Sequence, residues 1–369
     1  MLHARGVINV HIFYTWGQAV ALEKFDPGFN KNIQWDIDLT EGYTSTAVLN
    51  SSTKPGSHHF NGIINPHLID QINDFAPTAV MVYGWRFKSH WKVLQYYAGK
   101  LPVFFRGDST LLDEMPGIRQ WLRRAALSYI YRYVDKAFYV GEANKKYFKV
   151  HGLTSSQLLF MPHAIDNSRF QYRSESVDQA NNLREANNIP DDACVFLFSG
   201  KLEEKKRPAE LARCFSELNF KNAYLVFVGS GAQEGQLREI YGKNEKIVFL
   251  GFVNQAQMPA IYHACNVLVL PSAGPQETWG LCINEAMASG RAIIASDACG
   301  AAQDLIRQEV NGFVFAKNSW LMLKKHLHFC SEHPKVVKQM GRKSLELIKA
   351  YNLEFNCGVI ENTVNELNA

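Results

Sequence analysis

Two glutamates, Glu277 and Glu285, stand in a segment whose pattern indicates a strand, a loop and then a helix. Free backbone N–H groups at the start of such a helix could bind an anion such as a diphosphate. These groups belong to Thr278, Trp279, Gly280 and Leu281. The eight-residue spacing is about two helical turns, so both carboxylates could share one helix face and accept hydrogen bonds from sugar hydroxyls. A helix-terminal acid and a solvated acid would give the same spacing.

Two lysines follow an apolar run that predicts a strand at Cys194–Ser199. Gly200 permits a close turn, and Lys201 and Lys206 come after it. Because open parallel sheets bind ligands at the carboxyl ends of their strands, two ammonium groups here could neutralise a diphosphate leaving group. A solvated run of charge at a helix start would have the same sequence, so both interpretations stay open.

Two further loops follow predicted strands. Gly229, Ser230 and Gly231 resemble a relaxed dinucleotide fingerprint, but a lone glycine pattern is weak and a tight strand-to-helix turn is the simpler explanation. In the first half, Arg106 could clamp an anion on the acceptor side, and Asp108 could act as a general base or a sugar ligand. An Asp-Ser turn or a helix cap is the alternative for Asp108.

Other patterns exclude several kinds of site. Asp36 and Asp38 form an Asp-x-Asp pair, but their neighbours indicate an ordinary strand and turn, and the histidines show no metal-ligand spacing. We therefore expect neither a metal nor another cofactor. The helix predicted near residues 117–134 mixes arginines with aromatic side chains. It could lie on an anionic membrane, or present a solvated face over a buried aromatic stripe.

The composition is that of an ordinary globular protein. The 369 residues include 47% hydrophobic and 20% charged residues, which suits about two domains with cores of their own. A formal charge of +4 is too small to indicate nucleic-acid binding. All seven cysteines lie at or beyond Cys194 without a CxxC pair, which favours reduced thiols in a cytosolic protein. We find neither a membrane-spanning apolar run nor a signal-peptide pattern.

Short apolar runs alternate with helical patterns in both halves, which predicts two doubly wound α/β domains with a ligand in the cleft between them. The predicted strands lie at 7–14, 79–83, 101–105, 137–140, 194–199, 223–228, 247–250, 267–270 and 292–295. We expect a first domain at 1–165, a linker at 166–191, a second domain at 192–340 and a terminal helix at 341–369. That helix is predicted to pack back toward the first domain.

Five segments of the second half, in their order, resemble the group 1 (family 4) glycosyltransferases of the GT-B fold. They are SGKLEEKKRPAEL, LVFVGSG, KIVFLGFVNQAQMPAIYHACNVLVLPS, ETWGLCINEAMASGRAIIAS and NGFVF, and they cover roughly residues 192–316. The first half is more loosely similar to a bacterial subgroup associated with polysaccharide or O-antigen assembly, through HIFYTWG, FDPGFNKNIQWDIDLTEGY, FRGDST and MPHAIDNSRF.

In that family a Glu-x7-Glu motif closes the donor site, so the resemblance implies that Glu277 contacts the transferred sugar and Glu285 the ribose. The other implied donor-site positions are Gly200, Lys201 and Lys206 at the diphosphate and Gly229 and Val253 beside the base. Lys201 stands where the family usually has arginine, which loses the bidentate fork on phosphate. The chain also begins at what resembles the family's second strand, so a truncated first domain lacking the first strand and helix is expected, from a misassigned start or a fragment.

The resemblance implies a cytoplasmic, retaining hexosyltransferase, with peripheral contact at the inner face of the membrane as a further expectation. It would move a hexose from a UDP- or GDP-sugar to a glycan or lipid-linked acceptor. Lys201, Lys206 and the helix start would stabilise the departing diphosphate without a metal, while Glu277 positions the sugar. Two alternatives stay open: a sugar-nucleotide epimerase of the same fold, and an inactive nucleotide-sugar-binding fragment.

Overall fold

A computed structural model describes residues 1–16, 24–26, 28–29, 31–33, 36, 40–112, 114–274 and 277–367. The chain divides into two compact units, each built from parallel strands and helices around a core of its own. The first unit comprises Met1–Lys24, Asp38–Pro162 and Leu353–Ala369, and the second comprises Phe25–Ile37 and His163–Asn352.

The first unit contains a parallel strand pair and a parallel four-stranded sheet. The pair joins β1 (His11–Tyr14) to β4 (Thr44–Ala47), and the sheet consists, in spatial order, of β5 (Val80–Tyr83), β6 (Val103–Arg106), β7 (Lys136–Tyr139) and β8 (Leu158–Phe160). The helices are α1 (Leu2–Arg5), α2 (Leu68–Phe75), α3 (Lys88–Tyr97), α4 (Ile118–Tyr131), α5 (Glu142–Val150) and α15 (Leu353–Asn365).

Strand β6 is buried in the core of the first unit. All four residues of its VFFR sequence are buried, as expected for a parallel strand covered on both faces. The Phe105 ring lies 5.4 Å from Tyr131 of α4 and 6.0 Å from Phe148 of α5, both edge-to-face, so these helices pack on one face of the sheet. A cavity of about 1230 Å³ is lined in part by residues of β1 and β5. Within the described ranges, these two strands belong to different sheets.

The second unit contains a six-stranded, all-parallel sheet. Its strands are β9 (Cys194–Ser199), β10 (Ala223–Val228), β11 (Ile247–Gly251), β12 (Val267–Leu270), β13 (Ala292–Ser296) and β14 (Gly312–Phe315), in the spatial order β11-β10-β9-β12-β13-β14. This is the doubly wound order, which reverses direction between β9 and β12. The predicted bounds of β9, β10 and β12 are confirmed, because these runs are buried at every position but Tyr224.

Helices cover both faces of this sheet, and a short strand pair joins β2 (Lys24–Asp26) to β3 (Lys31–Ile33). The helices are α6 (Asn167–Phe170), α7 (Ser174–Ala186), α8 (Pro208–Glu217), α9 (Glu234–Tyr241), α10 (Met258–Ala264), α11 (Leu281–Ala288), α12 (Ala302–Leu305), α13 (Trp320–Glu332) and α14 (Pro334–Ile348). In the part of the chain that the structure describes, no helix has the length and hydropathy of a bilayer span. All seven cysteines are free thiols, and burial raises the pKa of each.

Two segments differ from the predicted division. Residues 166–191 contain α6 and α7, and the Arg184 guanidinium of α7 donates to the Ala264 carbonyl (3.1 Å), which ties the predicted linker into the second unit. The predicted terminal helix consists of two helices, α14 and α15. The Asn167 side-chain amide donates to the carbonyls of Ile348 (3.3 Å) and Tyr351 (3.2 Å), which satisfies the end of α14 and accounts for the break. Only α15 groups with the first unit.

The turn after β10 requires glycine at its first position. Gly229 has φ 126°, and a Cβ at this position would overlap the Gly200 carbonyl oxygen. We expect Gly229→Ala to lower the free energy of unfolding by roughly 2 kcal/mol or more, because strain and overlap add, as measured by chemical denaturation. Gly235→Ala is the matched control, since a Cβ there meets nothing within 4 Å and alanine favours helix α9. A Gly229→Ala midpoint equal to that of the wild type would contradict this account.

Candidate functional site

The loops at the carboxyl ends of β9, β10 and β11 lie against one another. The Gly200 N–H donates to the Val228 carbonyl (2.9 Å), and the Gly229 N–H donates to the Gly251 carbonyl (2.7 Å). The close approach of Gly229 to Gly200 leaves no room for a side chain between the first two loops. The predicted donor residues Gly200, Gly229 and Val253 therefore follow three neighbouring strands on one edge of the sheet.

A buried ion pair joins the two sides of the point where the strand order reverses. Lys206 Nζ lies 2.6 Å from Glu277 Oε2, and the two side chains are only 14% and 9% exposed. The Ser272 hydroxyl, two residues beyond β12, donates to the same carboxylate oxygen (3.1 Å). The Lys206 side chain runs over Gly200, where a Cβ would lie 3.5 Å from Lys206 Cδ.

Lys206 is protonated in this environment. Burial by itself lowers the pKa of Lys206, but attraction to Glu277 and their hydrogen bond outweigh burial, so the pKa is raised above its ordinary value. A cation in a poorly solvated site interacts strongly with any anion that reaches it, because the local dielectric constant is low. The pair can therefore present a fixed positive charge to a phosphate and a carboxylate to hydroxyl groups.

The loop that carries Glu277 is held by the loop after β13. The Gly300 N–H donates to the Glu277 carbonyl (3.1 Å), and the Ala301 N–H donates to the Trp279 carbonyl (3.0 Å). A Cβ at Gly300 would overlap the Thr278 carbonyl oxygen, so this close contact requires glycine. The backbone contacts fix the direction of the Glu277 side chain without help from a helix.

The predicted helix start is wrong by several residues. Helix α11 begins at Leu281, and Gly280 before it has φ 101°, which ends any helical path from Glu277. Thr278, Trp279 and Gly280 therefore precede the helix. Glu277 and Glu285 do not share one helical face, because only Glu285 is helical.

Trp279 is an anchor for this loop. Its side chain is buried, and the indole Nε1 donates to the Asn284 side-chain oxygen (2.8 Å). The Asn284 amide in turn donates to the His163 carbonyl (3.0 Å). A donor-binding role for Trp279 could come only from its backbone, whereas Leu281 at the start of α11 is exposed.

Glu285 pairs with a residue that the sequence analysis missed. The Tyr262 hydroxyl of α10 donates to Glu285 Oε2 (2.6 Å). Burial raises the pKa of Glu285 to about 7, although the hydrogen bond from Tyr262 and the charge of Arg169 both lower it. No local pattern marks Tyr262, because its partner is set by the packing of α10 on α11.

The Cys282 thiol, in the first turn of α11, interacts electrostatically with three of the predicted residues. Burial raises the pKa of Cys282, Lys206 lowers it, and Glu277 and Glu285 both raise it. Lys201 has a different partner, because its Nζ lies 2.8 Å from Asp26 Oδ1.

The remaining predicted residues lie in the first unit. Arg106 is buried, and its guanidinium donates to the carbonyls of Met161 (2.6 Å) and Pro162 (3.1 Å). This geometry gives Arg106 a structural contact and adds no support for its predicted acceptor-side role. Asp108 is half-buried two residues beyond β6, and its catalytic role stays a prediction. Asp38, the second acid of the Asp-x-Asp pair, lies outside the described residues.

Comparison with known proteins shows what the second unit is similar to. Residues 179–346 match the model of the family described as glycosyl transferases group 1. This segment is similar to the group 1 glycosyltransferases. An uncharacterized glycosyltransferase of Methanocaldococcus jannaschii is 36% identical over 142 residues, which are 37% of this chain and 36% of the relative. The lipopolysaccharide 1,2-N-acetylglucosaminetransferase of Salmonella typhimurium is 28% identical over 148 residues, which are 37% of this chain and 38% of the relative.

The chain thus spans little more than a third of the length of these curated relatives. Among solved structures, Anabaena HepE in complex with UDP is similar with a TM-score of 0.67. The two are 17% identical, and the match covers 81% of this chain and 82% of that one. The fold of this protein is therefore GT-B, with two Rossmann-like domains.

The raised pKa of Glu285 makes stability depend on pH. The folded-state pKa of about 7 exceeds the ordinary value of 4.5, so the folded state holds a proton that the unfolded state releases. The resulting stability is complete below pH 4.5 and is lost as pH rises through about 7. Glu285→Gln cannot ionise, so we expect its thermal midpoint to exceed that of the wild type by about 2–4 °C above neutral pH and to match it in acid.

The control for this measurement is Glu239→Gln, on the exposed face of α9. Its midpoint should follow that of the wild type at every pH. A Glu285→Gln midpoint that differs from the wild type by the same amount in acid and in base would contradict a titrating Glu285.

Proposed function

We propose that the protein is a nucleotide-sugar-dependent glycosyltransferase that transfers a hexose, with retention, from a UDP- or GDP-sugar to a glycan or lipid-linked acceptor. The observation that carries the proposal is the buried Lys206–Glu277 pair over Gly200, at the reversal point of a doubly wound sheet. A lysine and a glutamate held together there offer charge to a diphosphate and hydrogen bonds to the sugar attached to it.

The proposed mechanism is leaving-group stabilisation. The bond between sugar and phosphate breaks, the acceptor hydroxyl oxygen bonds to the same sugar carbon, and the departing diphosphate takes up the hydroxyl proton. Negative charge grows on the diphosphate as it leaves, and Lys206 lies in a poorly solvated place where that charge is stabilised most. Glu277 accepts hydrogen bonds from sugar hydroxyls and positions the reacting carbon. Glu285, held by Tyr262, accepts from the ribose hydroxyls. No step in this scheme requires a metal or another cofactor.

The similar proteins support the choice of donor and acceptor classes. HepE was solved with UDP, and the Salmonella relative is named for transfer of N-acetylglucosamine to lipopolysaccharide. Both relatives reported above are named as transferases, so we do not favour the epimerase alternative. A cytoplasmic enzyme that acts in polysaccharide assembly fits these similarities.

The proposal predicts a large effect of Glu277→Gln. The variant loses the carboxylate that positions the sugar and leaves Lys206 without its charged partner. We expect the release of UDP from UDP-glucose or UDP-N-acetylglucosamine, or of GDP from GDP-mannose, to fall about 100-fold or more. Glu204→Gln is the matched control, because Glu204 is a largely exposed glutamate of the loop that carries Lys206. Unchanged nucleotide release by Glu277→Gln would remove this residue from the mechanism.

A second surface supports peripheral membrane contact. Four large apolar side chains at the start of α4 are exposed to 82%, 80%, 69% and 56%: Met115, Ile118, Trp121 and Leu122. Two exposed arginines, Arg119 and Arg123, lie beside them in the sequence. An apolar patch flanked by arginines fits an anionic lipid surface, in which the apolar groups enter the headgroup boundary and the guanidinium groups bind phosphate. An enzyme with a lipid-linked acceptor would benefit from such contact.

The lipid contact can be measured by co-sedimentation with phosphatidylglycerol vesicles. We expect the combined change Ile118→Ser and Trp121→Ser to weaken binding about tenfold or more, because the two exposed apolar side chains that would enter the lipid are lost. Leu321→Ser with Val310→Ser is the control, since both are exposed apolar residues of the second unit. Wild-type protein that stays in solution with these vesicles would exclude the lipid contact.

A further inference from the structure

A short turn from the N-terminal part of the chain lies on the second unit. It contains Asp26, Gly28 and Phe29, which we call the acidic turn, and it belongs to the segment Phe25–Ile37 that groups with that unit. Asp26 Oδ1 accepts hydrogen bonds from the N–H groups of Gly28 (2.8 Å) and Phe29 (3.1 Å). The carboxylate thereby organises the turn around itself.

The acidic turn covers the loops that follow three neighbouring strands. Lys201 Nζ, beyond β9, lies 2.8 Å from Asp26 Oδ1 and 3.1 Å from Oδ2. The Ser230 hydroxyl, beyond β10, donates to the Phe29 carbonyl (2.9 Å). The Phe252 ring, beyond β11, meets the Phe29 ring edge-to-face at 5.2 Å. The turn is thus bound by the carboxyl ends of β9, β10 and β11.

Asp26 is ionised in this position. Burial raises its pKa, but the hydrogen bonds from Lys201 and from the N–H groups of Phe29 and Gly28 outweigh burial and lower it. Both carboxylate oxygens of Asp26 lie within hydrogen-bond distance of Lys201 Nζ. A diphosphate that approaches this ammonium group therefore competes with Asp26 for its N–H donors.

We propose that the acidic turn occupies part of the nucleotide-diphosphate site in the free protein and competes with the donor for Lys201. The inference rests on the proposed function, which puts a nucleoside diphosphate at this edge of the sheet. The Asp26 carboxylate takes the place beside Lys201 that a phosphate group would occupy. Phe29, through its contacts with Ser230 and Phe252, covers the part of the site next to β10 and β11. Binding of the donor then opens the turn, and the cost of opening lowers the affinity for nucleotide.

Gly28 allows the turn to sit this close to the lysine. A Cβ at Gly28 would lie 2.5 Å from Lys201 Nζ and 2.6 Å from its Cδ. Gly28→Ala therefore pushes the turn and the lysine apart without any change of charge. Gly28→Ala tests the competition by adding a methyl group between the turn and the lysine. Asp26→Asn tests it by removing the negative charge, and it keeps a side-chain oxygen that can accept the hydrogen bonds within the turn.

The experiment is calorimetric titration of the full chain with UDP and, separately, with GDP. Asp26→Asn and Gly28→Ala are each expected to bind the preferred nucleotide about fivefold more tightly than the wild type, because each weakens a partly exposed ion pair that the ligand must break. Asp36→Asn is the matched control. Asp36 belongs to the same segment, but its carboxylate accepts from the Ala256 N–H (3.1 Å) and not from Lys201. Its affinity for nucleotide should equal that of the wild type.

A second readout follows the turn itself. Amide hydrogen exchange at Gly28 and Phe29 should become faster in wild-type protein saturated with nucleotide, because their hydrogen bonds to Asp26 open. If the wild type binds nucleotide tightly and both variants bind it no more tightly than the wild type, the proposed competition is wrong. The proposed function would then still hold. If wild type and all variants bind neither UDP nor GDP, the proposed function fails as well.

Discussion

The buried ion pair between Lys206 and Glu277 is the constraint on which the rest of the second unit depends. Burying two charges is costly unless they meet at close range and find further hydrogen bonds. The structure meets this condition with a distance of 2.6 Å, a hydrogen bond from Ser272, and a glycine under the lysine stem. Lys206 and Gly200 belong to the loop after β9, and Ser272 and Glu277 belong to the loop after β12, so these two loops are positioned together.

The carboxylate of Glu285 has a different environment from that of Glu277. It has a hydroxyl partner, Tyr262, instead of a cation, and burial therefore raises its pKa toward neutrality. Two glutamates eight residues apart thus have different partners, an ammonium group for Glu277 and a phenol hydroxyl for Glu285.

The parts of this structure that sequence predicts well are local. Apolar runs predicted β9, β10 and β12 to the residue, and charged residues after glycine predicted where Lys206 would lie. The start of α11 was misjudged, because the left-handed conformation of Gly280 depends on the buried anchor of Trp279. Asp26 was not expected at Lys201 at all, since 175 residues separate the two and no local pattern encodes the contact.

The state of the cysteines has a practical consequence. Thiolates, not thiols, react with maleimides and iodoacetamide, and burial keeps all seven side chains protonated at neutral pH. A cysteine introduced on an exposed loop would therefore carry a fluorophore or spin label selectively, without prior removal of the native ones. The protein is in this sense already prepared for distance measurements between its two units.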